Sequence, residues 1–181
     1  MPEHKPGLPT ELLDALKRSD ESAREARAER IIWLSQHRRT EPGIVLGPME
    51  TMTILGEARE TFINGHFVAT MLLATAFIEH TVSEEVIEAG LATHGVSFAK
   101  ALDLAEKHNL IPEGLLKRAN TLRALRNPLS HRKAPNHQYS LGTRFRQANV
   151  HPLAILEQDA MEAIEIMYGF YYATLRIGDP W

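Results

Sequence analysis

One nearly unbroken apolar stretch, from Phe67 to Ile78, constrains the fold of this 181-residue chain more than any other feature. Apolar residues at helical spacing run through it as one stripe, namely Phe67, Met71, Ala74, Ile78 and Val82. Further apolar residues flank the stripe, and a helix that is apolar on more than one face is usually buried. The stretch is shorter than the ~18 residues that a membrane span needs. The sequence therefore predicts a central, buried helix from His66 to about Ala89.

Helical periodicity recurs along the chain, whereas strand signals are scarce. The other predicted helices are a short one from Thr10, a second from about Asp20 to His37, and further ones over Pro48–Ile63, Ser97–Asn109, Pro112–Asn127 and from Asn149–Pro152 onward. The stretch before the last helix is predicted to be a turn-rich connection. Two prolines and two glycines between Thr40 and Pro48 indicate a linker. We therefore predict an all-α protein with an N-terminal helical arm and linker (1–47) and a helical domain (48–181) built on a four-helix core.

The composition excludes several classes of site. The chain has no cysteine, which rules out disulfides, thiolate zinc sites and cysteine nucleophiles. Glu84, Glu85 and Glu88 follow His80 but read as a solvated acidic face, so no metal and no cofactor is predicted. The polar N-terminal segment has no apolar core of the kind found in signal peptides. We expect a cytoplasmic protein that does not enter a membrane.

The net charge of −3 hides an uneven distribution. The segment from Gly114 to Leu156 contains no Asp or Glu, and its eight basic residues are Lys117, Arg118, Arg123, Arg126, Arg132, Lys133, Arg144 and Arg146. The rest of the chain carries 12 basic against 23 acidic residues. Such a segment predicts a site for an anion, for which nucleic acid is the commonest large candidate. A solvated basic loop without a ligand is the alternative.

The predicted helix from Pro112 places a cation among apolar residues. At about 100° per residue, Arg126 shares one helical face with Leu115, Ala119 and Leu122. A buried guanidinium needs a partner, and the suggested partner is Glu79, the single acid between Glu60 and Glu84. An ion pair between these two side chains either serves a functional site or only joins two helices.

The residues after Arg126 read Asn127-Pro128-Leu129-Ser130-His131. In an unbroken helix, five residues place Arg126 and His131 about 140° apart. Because proline removes a helical hydrogen bond and disfavours α geometry at the preceding residue, a kink or turn at Pro128 is predicted, which would swing His131 toward Arg126. An arginine that holds a phosphate, a histidine that transfers protons near neutral pH and an amide between them suffice for metal-independent phosphodiester cleavage.

The segment Leu125–His131 resembles the R-x4-6-H signature of the HEPN superfamily, including its preferred polar residue after the arginine. The segment from Ala58 to Phe67 is similar to the family's first helix and its junction with the second, and Ala76–His80 resembles the stretch in which many members carry an acid. The resemblance covers roughly Pro48 to Leu175. It implies a HEPN-like bundle of four to five helices, which forms a homodimer so that two R-x4-H segments line one cleft.

Active members of that family are metal-independent endoribonucleases of toxin–antitoxin, antiviral-defence or RNA-processing systems. The resemblance implies that His131 acts as general base or acid, that Arg126 stabilises charge on the phosphate, that Asn127 positions the phosphate or His131, and that Glu79 orients Arg126. The products would be a 2′,3′-cyclic phosphate and a 5′-hydroxyl. RNA-binding residues would be the other cations of the basic segment, namely Lys117, Arg118, Arg123, Arg132, Lys133, Arg144 and Arg146.

Two further interpretations stay open at this point. The same basic cleft could belong to a non-catalytic module that binds RNA or a nucleotide and signals to a partner protein, or the chain could be a purely structural dimer. One departure from the family concerns regulation. The subgroup paired with nucleotidyltransferase antitoxins carries a tyrosine two residues after the histidine, and this chain has Lys133 there. We therefore do not expect regulation by that route, although the resemblance still implies a cognate antitoxin or defence-system partner.

Overall fold

The computed structural model describes residues 9–37, 48–134 and 136–175. Within these ranges the chain forms seven helices and no strand, which confirms the predicted all-α class. The helices are α1 (Thr10–His37), α2 (Met49–Ile63), α3 (Phe67–Glu88), α4 (Phe98–Lys107), α5 (Glu113–Ser130), α6 (Leu141–Ala148) and α7 (Pro152–Ala173). None of these helices combines the length and the apolar character that crossing a membrane requires.

Helix α3 is the centre of the fold, as its apolar stripe predicts. Each member of the stripe is at most 3% exposed: Phe67, Met71, Ala74, Ile78 and Val82. This helix packs against α2, α4, α5 and α7. Among the helices that pack against α3, α7 carries the most buried apolar side chains, which include Ile164, Met167 and Phe170. Burial of these side chains supplies the main driving force for the bundle, at roughly 1.5–3 kcal/mol for each large apolar side chain.

The residues Asn64-Gly65 separate α2 from α3, in the gap between the two predicted helices. Gly65 has a φ of +76°, a conformation that glycine adopts without a Cβ penalty. The Gly65 amide donates to the carbonyl of Phe62 at 3.0 Å, and the His66 amide donates to that of Thr61 at 2.8 Å. These bonds satisfy carbonyls that the end of α2 would otherwise leave without a partner.

Helix α1 is a single helix, so the prediction of two helices in this region was wrong. The residues around Lys17, Arg18 and Ser19 contain neither proline nor glycine, and nothing in them ends a helix. Only the last third of α1 packs against the bundle. There Leu34 is buried, and the ring of Trp33 lies 5.1 Å from that of Phe62. The apolar residues of the first turns, Leu12, Leu13 and Leu16, are about half exposed.

The side chain of Arg30 fixes α1 to three other helices. Its Nη1 donates to the carbonyl of Ile63 in α2 at 3.3 Å, and its Nε donates to Glu157 in α7 at 3.1 Å. The guanidinium also lies over the ring of Phe67 in α3, 5.0 Å from the centroid. One side chain therefore holds the arm at the α2–α3 turn.

Helices α5 and α7 approach each other closely at Gly169. A Cβ at this position would lie 2.6 Å from Cδ2 of Leu115. The buried face of α5 consists of Leu116, Ala119 and Leu122, so small and large residues alternate along the contact. This packing fixes the orientation of α5, and with it the direction in which the rest of the helix points.

Candidate functional site

Arg126 of α5 and Glu79 of α3 form the ion pair that the sequence predicts. The Nη2 of Arg126 lies 3.6 Å from Oε2 of Glu79, and the two side chains are 22% and 34% exposed. The face of α5 that carries Arg126 also carries Ala119 and Leu122, both 1% exposed, which is why the guanidinium lies against α3. At 3.6 Å the pair is electrostatic rather than a short hydrogen bond, so the N–H groups of Arg126 stay available to a further acceptor.

Helix α5 continues past Pro128, so the predicted turn at this residue does not occur. The helix continues to Ser130, and His131 ends it with an extended backbone (φ −137°, ψ 130°). Pro128 removes a single helical hydrogen bond, that to the carbonyl four residues earlier. The residues after it bond normally: the His131 amide donates to the carbonyl of Asn127 at 2.9 Å. Because the loss is confined to the last turn, the helix tolerates the proline.

The continuous helix keeps Arg126 and His131 apart. Five residues of α-helix correspond to a rise of ~7.5 Å and a rotation of about 140°. The Arg126 side chain consequently lies against α3, whereas His131 is exposed at the end of α5 and Asn127 is half-buried between them. Within the described part of the chain, no hydrogen bond joins the two side chains. The structure thus brings Arg126 and Glu79 together, but not Arg126 and His131.

Half of the basic segment is neutralised by acids of the same chain. Lys117 pairs with Glu113 one turn earlier in α5. Arg118 donates to Glu162 and to Glu165 of α7, each at 2.8 Å. The remaining two pairs join Arg126 to Glu79 and Arg144 to Asp159. These four cations have a structural role in addition to any role toward a ligand.

Three of these pairs shift the pKa of a charged group. The hydrogen bond from Arg118 to Glu162 raises the pKa of that guanidinium, and the bond from Arg144 to Asp159 does the same for Arg144. In α5, the hydrogen bond from Lys117 lowers the pKa of the Glu113 carboxyl. Both arginines are therefore held in their charged form by acids on α7.

The other four cations of the basic segment contact no acid among the residues that the structure describes. Arg123 donates only to the side-chain oxygen of Asn120, at 3.1 and 2.9 Å. Arg132 and Lys133 are exposed directly after His131, and Arg146 donates to the hydroxyl of Thr143 at 3.2 Å. The positive charge that remains available to a ligand therefore lies on the last turns of α5, the connection that follows and α6.

Helix α6 is the element that the sequence analysis missed, because the region was predicted to be a turn-rich connection. Its two caps were the available signal. Ser140 begins the helix by accepting a hydrogen bond from the Thr143 amide at 3.3 Å, and Asn149 ends it in the left-handed conformation with a φ of +51°. The helix presents Phe145, whose exposed fraction is 42%.

A separate cavity of about 610 Å³ lies between the start of α2, the second half of α3 and residues 94–96. Its lining includes His80, His94 and Glu88, and Nδ1 of His80 lies 3.4 Å from the hydroxyl of Thr51. None of the sequence-predicted site residues lines it. In the described ranges, no group of three or more His, Asp or Glu side chains is arranged to hold a metal ion.

No family model matches the chain, and no curated protein or solved structure is significantly similar to it. The candidate site therefore rests on two observations from the molecule itself. One is the Arg126–Glu79 pair with His131 at the exposed end of the same helix, and the other is the group of four nearby cations that contact no acid in the part of the chain that the structure describes.

Proposed function

We propose that this protein is a metal-independent endoribonuclease of the HEPN type. The observation that carries the proposal is the ion pair between Arg126 and Glu79, because it places the arginine of the R-x4-H segment against the acid that the resemblance assigns to it. Asn127 follows on the same helix and His131 directly after the end of that helix, and the chain then continues into the exposed cations Arg132 and Lys133.

The proposed reaction is a transesterification within RNA. His131 accepts the proton of a ribose 2′-hydroxyl, the 2′-oxygen attacks the adjacent phosphorus, and the bond from phosphorus to the 5′-oxygen breaks. The departing 5′-oxygen takes a proton from an imidazolium, so that the products are a 2′,3′-cyclic phosphate and a 5′-hydroxyl. Arg126 stabilises the charge of the pentacovalent phosphorane, and Glu79 holds its guanidinium in place. Asn127 positions the phosphate or His131.

A homodimer would resolve the separation of Arg126 and His131. Two copies with adjacent α5 ends supply two histidines and two arginines to one cleft, so that one His131 acts as base and the other as acid. In this proposal residues 48–181 form the catalytic domain and residues 1–47 the arm. We place the protein in the cytoplasm, in a toxin–antitoxin or antiviral-defence system with a cognate partner.

A second candidate function is a non-catalytic module that binds RNA or a nucleotide and signals to a partner protein. The observation that favours it is the orientation of the two key side chains, since Arg126 faces α3 while His131 is exposed at the helix end. In that case Arg126 contributes to binding and His131 takes part in no proton transfer.

The test compares the wild type with His131→Ala and with a matched control, His108→Ala. His108 is also an exposed histidine that directly follows a helix, in this case α4. Each full-length protein is incubated in EDTA with a pool of structured and single-stranded RNA, and the new ends are identified chemically. We expect wild type and His108→Ala to release 2′,3′-cyclic phosphates, and His131→Ala to be slower by roughly 10²–10⁴-fold, the usual contribution of a general acid or base.

Equal cleavage by wild type and His131→Ala would refute the nuclease. An absence of cleavage by all three proteins, together with RNA binding that Arg126→Ala abolishes, would identify the second candidate function. A variant that keeps the charge, Arg126→Lys, separates the two roles further. Lysine cannot reproduce the planar fork of arginine, so we expect it to retain binding better than catalysis.

A further inference from the structure

Helix α6 is held against α7 by one face, which leaves the opposite face open. The guanidinium of Arg144 donates to both carboxyl oxygens of Asp159, with Nη2 2.7 Å from Oδ1, and Asp159 is only 6% exposed. Ser140 caps the helix, and its hydroxyl also donates to that of Thr143 at 2.9 Å. Because a bidentate ion pair and a cap both fix this short helix, its orientation is well defined.

The open face of α6 combines an aromatic ring with a cation. At about 100° per residue, Phe145 and Arg146 lie about 100° and 200° around the helix from Arg144. The angular position of Gly142 around the helix lies between those of Phe145 and Arg146. A Cβ on Gly142 would lie 3.9 Å from Nη1 of Arg146. Phe145 is 42% exposed and Arg146 is exposed too. Gly142 therefore adds no side chain between the ring and the guanidinium, and the Arg146 side chain lies beside it.

We infer that this face of α6 is a stacking platform for single-stranded RNA, with one base on the Phe145 ring and a neighbouring phosphate on Arg146. The inference rests on the proposed function, since it names the substrate class of the same site. A flat aromatic ring beside a cation binds a base and its phosphate without sequence preference. A duplex keeps its bases stacked on each other, so the platform selects single strands.

The charge of the chain segment that contains Phe145 favours RNA over a protein partner. The segment from 114 to 156 contains no acidic residue, and α6 is preceded by Arg132 and Lys133, which contact no acid among the described residues. Val150 and Leu153 are also exposed, at 45% and 54%, and would extend an apolar contact if this face bound a protein. A polyanion nevertheless satisfies both the unpaired cations and the aromatic ring, whereas an apolar interface satisfies the ring alone.

The platform also lies within reach of His131. Ten residues, 131–140, connect the end of α5 to α6, and even a fully extended chain of this length spans at most ~36 Å. Backbone turns shorten the connection: the His137 amide donates to the carbonyl of Ala134 at 3.0 Å, and the Ser140 amide donates to that of His137 at 2.9 Å. One single-stranded segment can therefore contact the platform and the end of α5 together.

The test measures binding of a labelled 12-nucleotide single strand and of a matched duplex by fluorescence anisotropy. All proteins carry His131→Ala, so that no cleavage interferes. We expect Phe145→Ala and Phe145→Leu to weaken single-strand binding by about 5- to 150-fold, which corresponds to the ~1–3 kcal/mol of one stacked base. Phe145→Trp should bind as tightly as the parent, and Leu153→Ala, which removes an exposed apolar side chain from the neighbouring helix, should have no effect. Duplex binding should change little in any variant.

Several outcomes would overturn the inference. If Phe145→Leu binds as tightly as the parent, the ring is not used for stacking. If Phe145→Ala leaves RNA binding intact but lowers the mass measured by light scattering, this face is a protein interface. Cleavage that requires His131 but is unaffected by Phe145→Ala would refute the platform and leave the nuclease standing. Loss of single-strand binding in Phe145→Ala, with no cleavage by the wild type, would support the platform and refute the nuclease.

Discussion

Replacing Arg144 by alanine tests how α6 is held. Asp159 of α7 is 6% exposed and receives two hydrogen bonds from the Arg144 guanidinium. Without Arg144 the carboxylate would stay buried with no cation beside it, and α6 would lose its main polar contact with the bundle. We therefore expect Arg144→Ala to lower the free energy of unfolding and to release α6 from α7.

The expected magnitude follows from the burial of the two partners. Removing one member of a fully buried ion pair costs ~3–5 kcal/mol. The Arg144 side chain is 25% exposed and that of Asp159 7%, so water reaches one side of the pair and the lower part of the range applies. We expect a loss of about 3 kcal/mol, which for a chain of this size corresponds to roughly 6–12 °C in Tm. The hydrogen bond to Asp159 raises the already high pKa of Arg144, so the part of this contribution that depends on the guanidinium charge is lost as the pH rises through that raised pKa, in strongly alkaline solution.

The assay combines thermal unfolding with hydrogen exchange of α6. Arg123→Ala is the matched control, since among the described residues the Arg123 side chain bonds to Asn120 of its own helix alone, and we expect it to change stability by less than ~0.5 kcal/mol. The double variant Arg144→Met/Asp159→Leu removes both charges and should recover most of the loss. The reasoning would be refuted if Arg144→Ala were no more destabilising than the control, or if the double variant lost the sum of the two single effects.

Two further predictions concern α1 and α5. Leu34→Ala should lower the free energy of unfolding by ~2–4 kcal/mol, because Leu34 is 4% exposed. Leu16 lies in the same helix at 52% exposure, so Leu16→Ala should be close to neutral. Equal losses of the two variants in urea unfolding would contradict the packing described for α1. The hydrogen bond from Lys117 lowers the pKa of the Glu113 carboxyl below its ordinary value of 4.5. The pair therefore stabilises α5 fully at pH values above 4.5, and this stabilisation is lost as the pH falls through the lowered pKa. An NMR titration should show the Glu113 pKa returning toward 4.5 in Lys117→Met, and an unchanged pKa would exclude this cause.

Hydrophobic periodicity was sufficient to predict the central part of the fold. The stripe from Phe67 to Val82 is buried as predicted, and the turn at Asn64-Gly65 lies where the residue types require it. The contact between Arg126 and Glu79 could also be predicted, because a cation on an apolar face must meet an acid and few acids were available. These predictions depend on local pattern and on burial, both of which the sequence records directly.

The errors arose where a local rule competes with its surroundings. Pro128 breaks one hydrogen bond, but the remaining bonds of α5 are enough to carry the helix to Ser130. Helix α6 is only eight residues long and has few apolar residues, and it is held by Arg144 and Asp159, which are 15 residues apart. The pairing of Arg118 with Glu162 and Glu165 likewise joins two helices. Contacts between helices cannot be derived from sequence spacing alone. The sequence therefore could not show which cations of the basic segment pair with acids of α7.

The contacts of Arg30 have a consequence for how the outer part of α1 stays helical. Starting a helix is unfavourable, by a factor of roughly 10⁻³, whereas adding a residue to an existing helix is close to neutral. The docked turns around Arg30 and Leu34 supply the nucleus, and the exposed turns toward Thr10 need only propagate from it. Helicity should therefore decrease gradually from Trp33 to Thr10, and a change that undocks Arg30 should melt all of α1 together.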